Sequence, residues 1–177
     1  MNFICQMIAT KQQAIELIQQ KLESLKQKIS ANIEASGQAA SGNTQESLRV
    51  ETSENSVTLF GRRAFGILET GRKAGKVPYN FVSIILDWMR DKNIIAEPMP
   101  YLRTPSERWQ PKYDPQTRGQ LSLAGAIAHK IKIEGTVLNR IGGRSDIYSN
   151  EIPKTISEIK SEILQTLKTE IINIKIN

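Results

Sequence analysis

Nothing between Gln6 and Glu34 breaks a helix, and that run constrains the fold more than any other part of the 177-residue chain. Ile8, Ile15, Ile18, Leu22, Leu25 and Ile29 recur in steps of seven, three and four. Gln, Lys and Glu, all good helix formers, stand between them. At ~1.5 Å per residue such a helix is about 40 Å long. A helix of that length with so narrow an apolar seam packs on its own domain, or is shared with neighbouring subunits, or does both along different parts of its length. Residues 1–34 are therefore expected to form a long N-terminal helix.

Small, polar and glycine-punctuated residues follow, and 35–46 reads as a flexible linker or exposed loop. From 47 to 177 the pattern predicts an α+β core. Leu48 and Val50 alternate with Arg49 and Glu51, Glu54-Asn55-Ser56 is turn chemistry, and Val57 to Phe60 returns as a second strand. Asn80 is placed to cap a helix over 81–92 with Phe81, Ile84, Ile85, Trp88 and Met89 on its buried face. Five of the seven prolines lie between Pro98 and Pro115, so 98–118 reads as a proline-rich loop. Its Tyr101, Trp109 and Tyr113 suit packing against another chain. A third helix is expected over 119–140, with Leu121, Ala124, Ala128, Ile131, Gly135 and Leu138 at helical spacing. A fourth starts at Ser149 or Asn150 and carries Ile152, Ile156, Ile159, Ile163 and Leu167 along one face. Ile172, Ile174 and Ile176 alternate, which predicts a closing C-terminal strand beside the hairpin. The expected fold is thus a small antiparallel sheet, hairpin plus C-terminal strand, flanked by helices and preceded by the long N-terminal helix.

Several function classes are disfavoured by composition. No apolar run approaches the roughly 18–20 residues that a bilayer span needs, so no membrane partner is expected. The mildly apolar start has no basic leader and no cleavage site, so no secretory signal is expected. The single Cys5 excludes an intramolecular disulfide and fits a reducing interior. Net charge is +6 with a pI near 9.5, which favours acidic partners, nucleic acid first.

The stretch from Leu59 to Pro78 holds four glycines and five basic residues. A phosphate loop is the first idea to test, and the spacing fails it. Gly66 and Gly71 are correctly separated, but Arg72-Lys73-Ala74 stands where Lys and then Ser or Thr is required. Turn and close-packing roles suit these glycines better. Arg62, Arg63, Arg72, Lys73 and Lys76 have only Glu69 as a local counter-charge. They read as a solvated loop, an inter-subunit ion pair that includes Glu69, or a sequence-independent contact with DNA phosphates. One histidine, His129, lies within the third helix, and one cysteine stands far from it, so no zinc cluster of soft ligands can be assembled. No Gly-x-Ser-x-Gly elbow occurs, and Glu69, Asp87 and Asp91 are scattered. No catalytic constellation, cofactor site or metal site is expected, and the chain does not read as an enzyme.

The order of features resembles a known family. The segment Phe-Gly-x-Leu-Glu-x-Gly at 65–71 carries the likeness, supported by Ala126 to Ile131, Gly135-Thr136 and Asp146-Ile147-Tyr148-Ser149. Over about residues 35–170 the chain is similar to the neck, or tail-completion, proteins of tailed bacteriophages. The proline-rich loop is longer than that family's pattern. The resemblance implies a non-enzymatic virion protein, made in the host cytoplasm, that forms a homo-oligomeric ring at the head–tail junction or in the tail. Portal or adaptor and tail proteins would be its neighbours, and genomic DNA would pass through its channel without sequence recognition. The expected contacts to a subunit or to DNA are Arg62, Arg63, Glu69, Arg72, Lys73 and Lys76. A reading of another class is a non-specific nucleic-acid-binding accessory protein that uses the same basic stretch.

Overall fold

The long N-terminal run is helical from Phe3 to Ala35, one residue beyond the expected C-terminal end. The computed structural model describes residues 3–176 apart from Thr104, Glu107 and Trp109. In chain order the elements are α1 (Phe3–Ala35), α2 (Asn43–Glu46), β1 (Arg49–Thr52), β2 (Val57–Phe60), a 3-10 turn (Arg63–Gly66), α3 (Ile67–Thr70), α4 (Phe81–Asp91), α5 (Pro115–Glu134), α6 (Val137–Arg140) and α7 (Glu151–Ile176). They form an α+β fold in two compact units. Unit 1 joins residues 1–69 to 144–177, and unit 2 is the segment 70–143 between them. The division does not follow the 34/35 and 46/47 boundaries read from the sequence, because α1 is part of the core of unit 1.

In unit 1 the lower half of α1 buries Leu25, Ile29 and Ile33 with Leu48 and Ile147. Leu59, Phe65, Leu68 and Tyr148 pack around them. The hairpin is as expected, with Arg49 opposite Phe60 and Thr52 opposite Val57. Toward its N-terminus α1 pairs with α7 in antiparallel fashion. The Asn32 side chain donates to the Ile147 carbonyl at 3.0 Å, and Lys21 bridges Glu158 and Glu162 at 3.6 and 2.5 Å. Farther along, Gln13, Ala14 and Leu17 face Ile163, Thr166 and Leu167 across a narrow cleft of 170 Å³. The heptad seam is thus sealed at its base and only half-covered above it, where Ile15, Ile18 and Leu22 are partly exposed.

The C-terminal strand does not exist. Residues up to Ile176 continue α7, and the sheet has two strands only among the described residues. The isoleucine alternation at 172, 174 and 176 fits a strand locally, but Ile163, Leu167 and Ile171 already run at helical spacing. A helix already nucleated upstream adds one hydrogen bond for each further residue, which outweighs the weak β-preference of branched side chains. The linker region is also more ordered than expected. Gly37, at φ 68°, ends α1 with paired backbone bonds from Gly37 to Glu34 and from Gln38 to Ile33, a Schellman-type stop. Residues 43–46 then form the single turn α2.

Unit 2 has its own core, in which Phe81, Ile85 and Met89 of α4 meet Ala124 and Ala128 of α5. Large side chains on one helix face small ones on the other, which lets the two approach closely. The buried face of α4 differs from the expected one. Ile84 and Trp88 are 42% and 38% exposed, and Asn80 makes no side-chain cap. The expected third helix starts earlier and breaks before its predicted end. Asp114 caps α5 by accepting from the Thr117 amide at 3.0 Å, with Pro115 in the first turn. The proline-rich loop therefore closes at 114 and not 118. At the other end Gly135, at φ 78°, stops α5, and α6 is a separate turn.

Candidate functional site

Glu69 is the one buried charged residue among the described residues. It is 3% exposed although charged. Its Oε1 accepts three consecutive backbone amides, from Ile147, Tyr148 and Ser149, at 2.9, 2.7 and 3.0 Å. The Ser149 hydroxyl donates to Oε2. Successive amides turned onto one anion form a nest, here just ahead of α7. Burial pushes the Glu69 carboxyl up, but the Ser149 hydroxyl and the three amides outweigh it and hold the group below its ordinary range. The Glu69 carbonyl also accepts from the Arg144 amide at 2.9 Å, so the chain leaves and re-enters unit 1 at one backbone hydrogen bond. Arg144 in turn forks onto Asp146 at 2.5 and 2.6 Å.

Phe65 and Tyr148 complete the knot. Their ring centroids are 5.0 Å apart at 37°, and the Tyr148 hydroxyl donates to the Gly66 carbonyl at 3.3 Å. The surface role expected of Glu69, as a subunit or DNA contact, is therefore corrected. Its carboxylate is committed to internal amides, because a buried charge needs a full set of donors.

In unit 2 a second lock follows directly in sequence. Gly71 has φ 66°, and a Cβ there would lie 2.5 Å from the Asn139 amide nitrogen and 2.6 Å from Thr136 Oγ1. The Arg72 amide donates to Thr136 Oγ1 at 2.9 Å, while the Thr136 amide donates to the Arg72 carbonyl at 2.9 Å. The Asn139 side-chain amide reaches the Thr70 carbonyl at 2.9 Å, and the Gly75 amide reaches the Lys132 carbonyl at 2.8 Å. Segment 70–75 is thereby strapped across the C-terminal end of α5.

The basic residues divide between the units. Arg62 and Arg63 are exposed in unit 1, and neither has an ion-pair partner among the described residues. In unit 2 Lys73 and Lys76 are exposed, whereas Arg72 is half-buried. Its guanidinium lies 5.3 Å from the Phe81 ring centroid and donates to the Lys76 carbonyl at 2.9 Å. His129 is exposed on α5. Among the described residues no group of His, Cys, Asp or Glu is placed to hold a metal ion.

Of the aromatics in the proline-rich loop, Tyr101 is half-buried with the Arg118 guanidinium 4.2 Å from its ring centroid. Arg118 also donates to the Pro100 carbonyl at 2.9 Å. Tyr113 is 38% exposed, with Lys112 Nζ 5.1 Å from its ring. Trp109 lies outside the described residues. Sequence reasoning missed an apolar cleft of 410 Å³ in which Trp88, Ile127, Ile131 and Val137 are rimmed by Lys130 and Arg140. Trp88 of α4, 38% exposed, forms part of its wall. No protein-family model, curated protein or solved structure matches this chain. Among the described residues no helix is long and apolar enough to cross a membrane.

Proposed function

We propose that this chain is a structural subunit of the head–tail joining region of a tailed bacteriophage, of the neck or tail-completion kind. It assembles with copies of itself into a ring beneath the portal, around the path of the genome. One observation carries the reading: the residues that bear the resemblance are those that fasten the fold. Phe65, Gly66 and Glu69 meet Ile147, Tyr148 and Ser149, and Gly71 meets Thr136. A signature buried in such fasteners suits a protein whose task is to hold a shape. The signature of an enzyme would line an open site, with titratable groups free to act on a substrate.

A ring subunit needs two different surfaces that fit head to tail and close on rotation. Exposed apolar residues are available in both units, among them Leu164 and Ile172 in unit 1 and Trp88 and Val137 in unit 2. Native mass measurement of the purified protein, and electron microscopy of particles, test the reading. Closed rings, or density for the chain at the head–tail junction, are the expected outcome. Absence from particles, together with a monomer at every concentration even when portal is added, would sink it.

A further inference from the structure

The formal charge of +6 is not spread over the chain. Residues 70–143 hold twelve Lys and Arg against six Asp and Glu, and the remainder holds twelve of each. Unit 2 therefore carries the entire excess, and unit 1 is formally neutral. In unit 1 Lys21, Lys26, Arg49, Arg144 and Lys154 are all matched to carboxylates. In unit 2 Arg90 and Arg140 are matched to Asp87 and Glu134.

Three exposed lysines of unit 2 stand on two backbone segments that meet at the end of α5. The hydrogen bond from the Gly75 amide to the Lys132 carbonyl ties the 72–76 strap to the last turn of α5. Gly135 makes the approach possible, since a Cβ there would lie 2.7 Å from the Arg72 carbonyl oxygen. Lys73, Lys76 and Lys132 are thus held on backbone fixed by Gly71, Gly135 and Thr136, all three are exposed, and none has an ion-pair partner among the described residues. The one carboxylate in that turn, Glu134, is engaged by Arg140. Three lysines on a fixed backbone, with no counter-charge in contact, make a surface of uncompensated positive potential.

We infer that the strap 72–76 together with Lys132 is a contact surface for the phosphate backbone of duplex DNA, without base recognition. Lysine acts there as a point charge, and neutralising phosphates releases condensed counterions. The inference deepens the connector reading by naming the face that meets DNA, and it adds Lys132 to the residues that the sequence singled out.

The test uses the full-length protein and a mixed-sequence DNA duplex of about 30 base pairs, followed by fluorescence anisotropy across salt. Three phosphate contacts correspond to an affinity loss of roughly 40-fold between ~50 and ~200 mM salt. The triple variant K73Q/K76Q/K132Q is expected to lose that dependence, whereas K160Q/K168Q, at exposed lysines of α7, keeps it. A flat salt response in the unmodified protein overturns the inference, and so does an equal loss in K160Q/K168Q. Equal affinity for polyglutamate of matched charge overturns DNA as the partner and points to an acidic protein surface. Circular dichroism shows that the variants fold, and native mass measurement follows ring formation separately. A protein that forms rings without binding DNA refutes this inference alone, and one that binds DNA yet stays monomeric with portal added and is absent from particles refutes the connector reading alone.

Discussion

Glu69 shows how one side chain can close a fold. A carboxylate that accepts three amides and a hydroxyl is held below the ordinary carboxyl range once folded. Its stabilisation is therefore complete above the unfolded value of about 4.3 and is lost as pH falls through the lower folded value. Urea midpoints measured from pH 7 to pH 2 are expected to fall on the acid side in the native protein. In Glu69→Gln the neutral-pH stability is expected to drop by about 1–3 kcal/mol, because a neutral amide keeps the shape but loses charge-assisted bonds. The acid limb should flatten at the same time. A variant as stable as the native protein at pH 7, with an unchanged acid limb, would contradict the clamp. Its sequence marked Glu69 as noteworthy by placing it among five cations, but suggested an external partner. The actual partners are backbone amides 78 to 80 residues away, and no local pattern reports them.

At the scale of elements, close approach decides what propensity does not. Gly119 lies in the first half of α5, where a Cβ would come within 2.0 Å of the Glu97 carbonyl oxygen. Segment 94–100 runs along the helix there, held by the Met99 amide on the Pro115 carbonyl at 2.8 Å and by the Gln116 side chain on the Ala96 carbonyl at 2.9 Å. Helix propensity favours alanine over glycine by about 1 kcal/mol, so Gly119→Ala would stabilise an isolated helix. In the folded chain the clash is with backbone, which cannot rotate away, and overpacking of that kind costs about 1–3 kcal/mol. Net destabilisation in thermal melts, with faster amide exchange at Met99, is the expected result. The N-terminus of α5 was legible in Asp114-Pro115-Gln116-Thr117, a cap residue followed by proline, and the proline count around it obscured that signal.

For the whole molecule, two separate cores predict two separate stabilities. Met89, 1% exposed, lies among Phe81, Ile85, Ala124 and Ala128, whereas Ile29 and Ile147 belong to the other core. Met89→Ala leaves a cavity, and losses of about 2–5 kcal/mol are usual for such a change. Native-state hydrogen exchange is expected to show that loss at amides of α4 and α5, while amides around Ile29 and Ile147 keep their protection. Unit 2 is a single insertion whose ends meet at the Glu69–Arg144 hydrogen bond, so loosening it lengthens one loop of unit 1, an entropic cost that grows only slowly with length. Equal loss of protection in both cores would show one cooperative unit.

The sequence by itself determined the local elements whose causes are local. The α1 run, the hairpin with its turn at 53–56 and the amphipathic α4 follow from periodicity and turn chemistry. The absence of a phosphate-loop spacing was equally plain from residue order. Tertiary structure decided the rest. It continued α7, which packs on α1 through Ile163 and Leu167, into the isoleucine-rich C-terminus, and it narrowed the buried face of α4 to Phe81, Ile85 and Met89, so that Trp88 borders a cleft. It ended α5 at Gly135 because the strap passes there, and it drew Glu69 inward onto the nest ahead of α7. Each of these depends on residues far apart in sequence meeting in space, where exclusion of a Cβ or satisfaction of a buried charge outweighs any local preference.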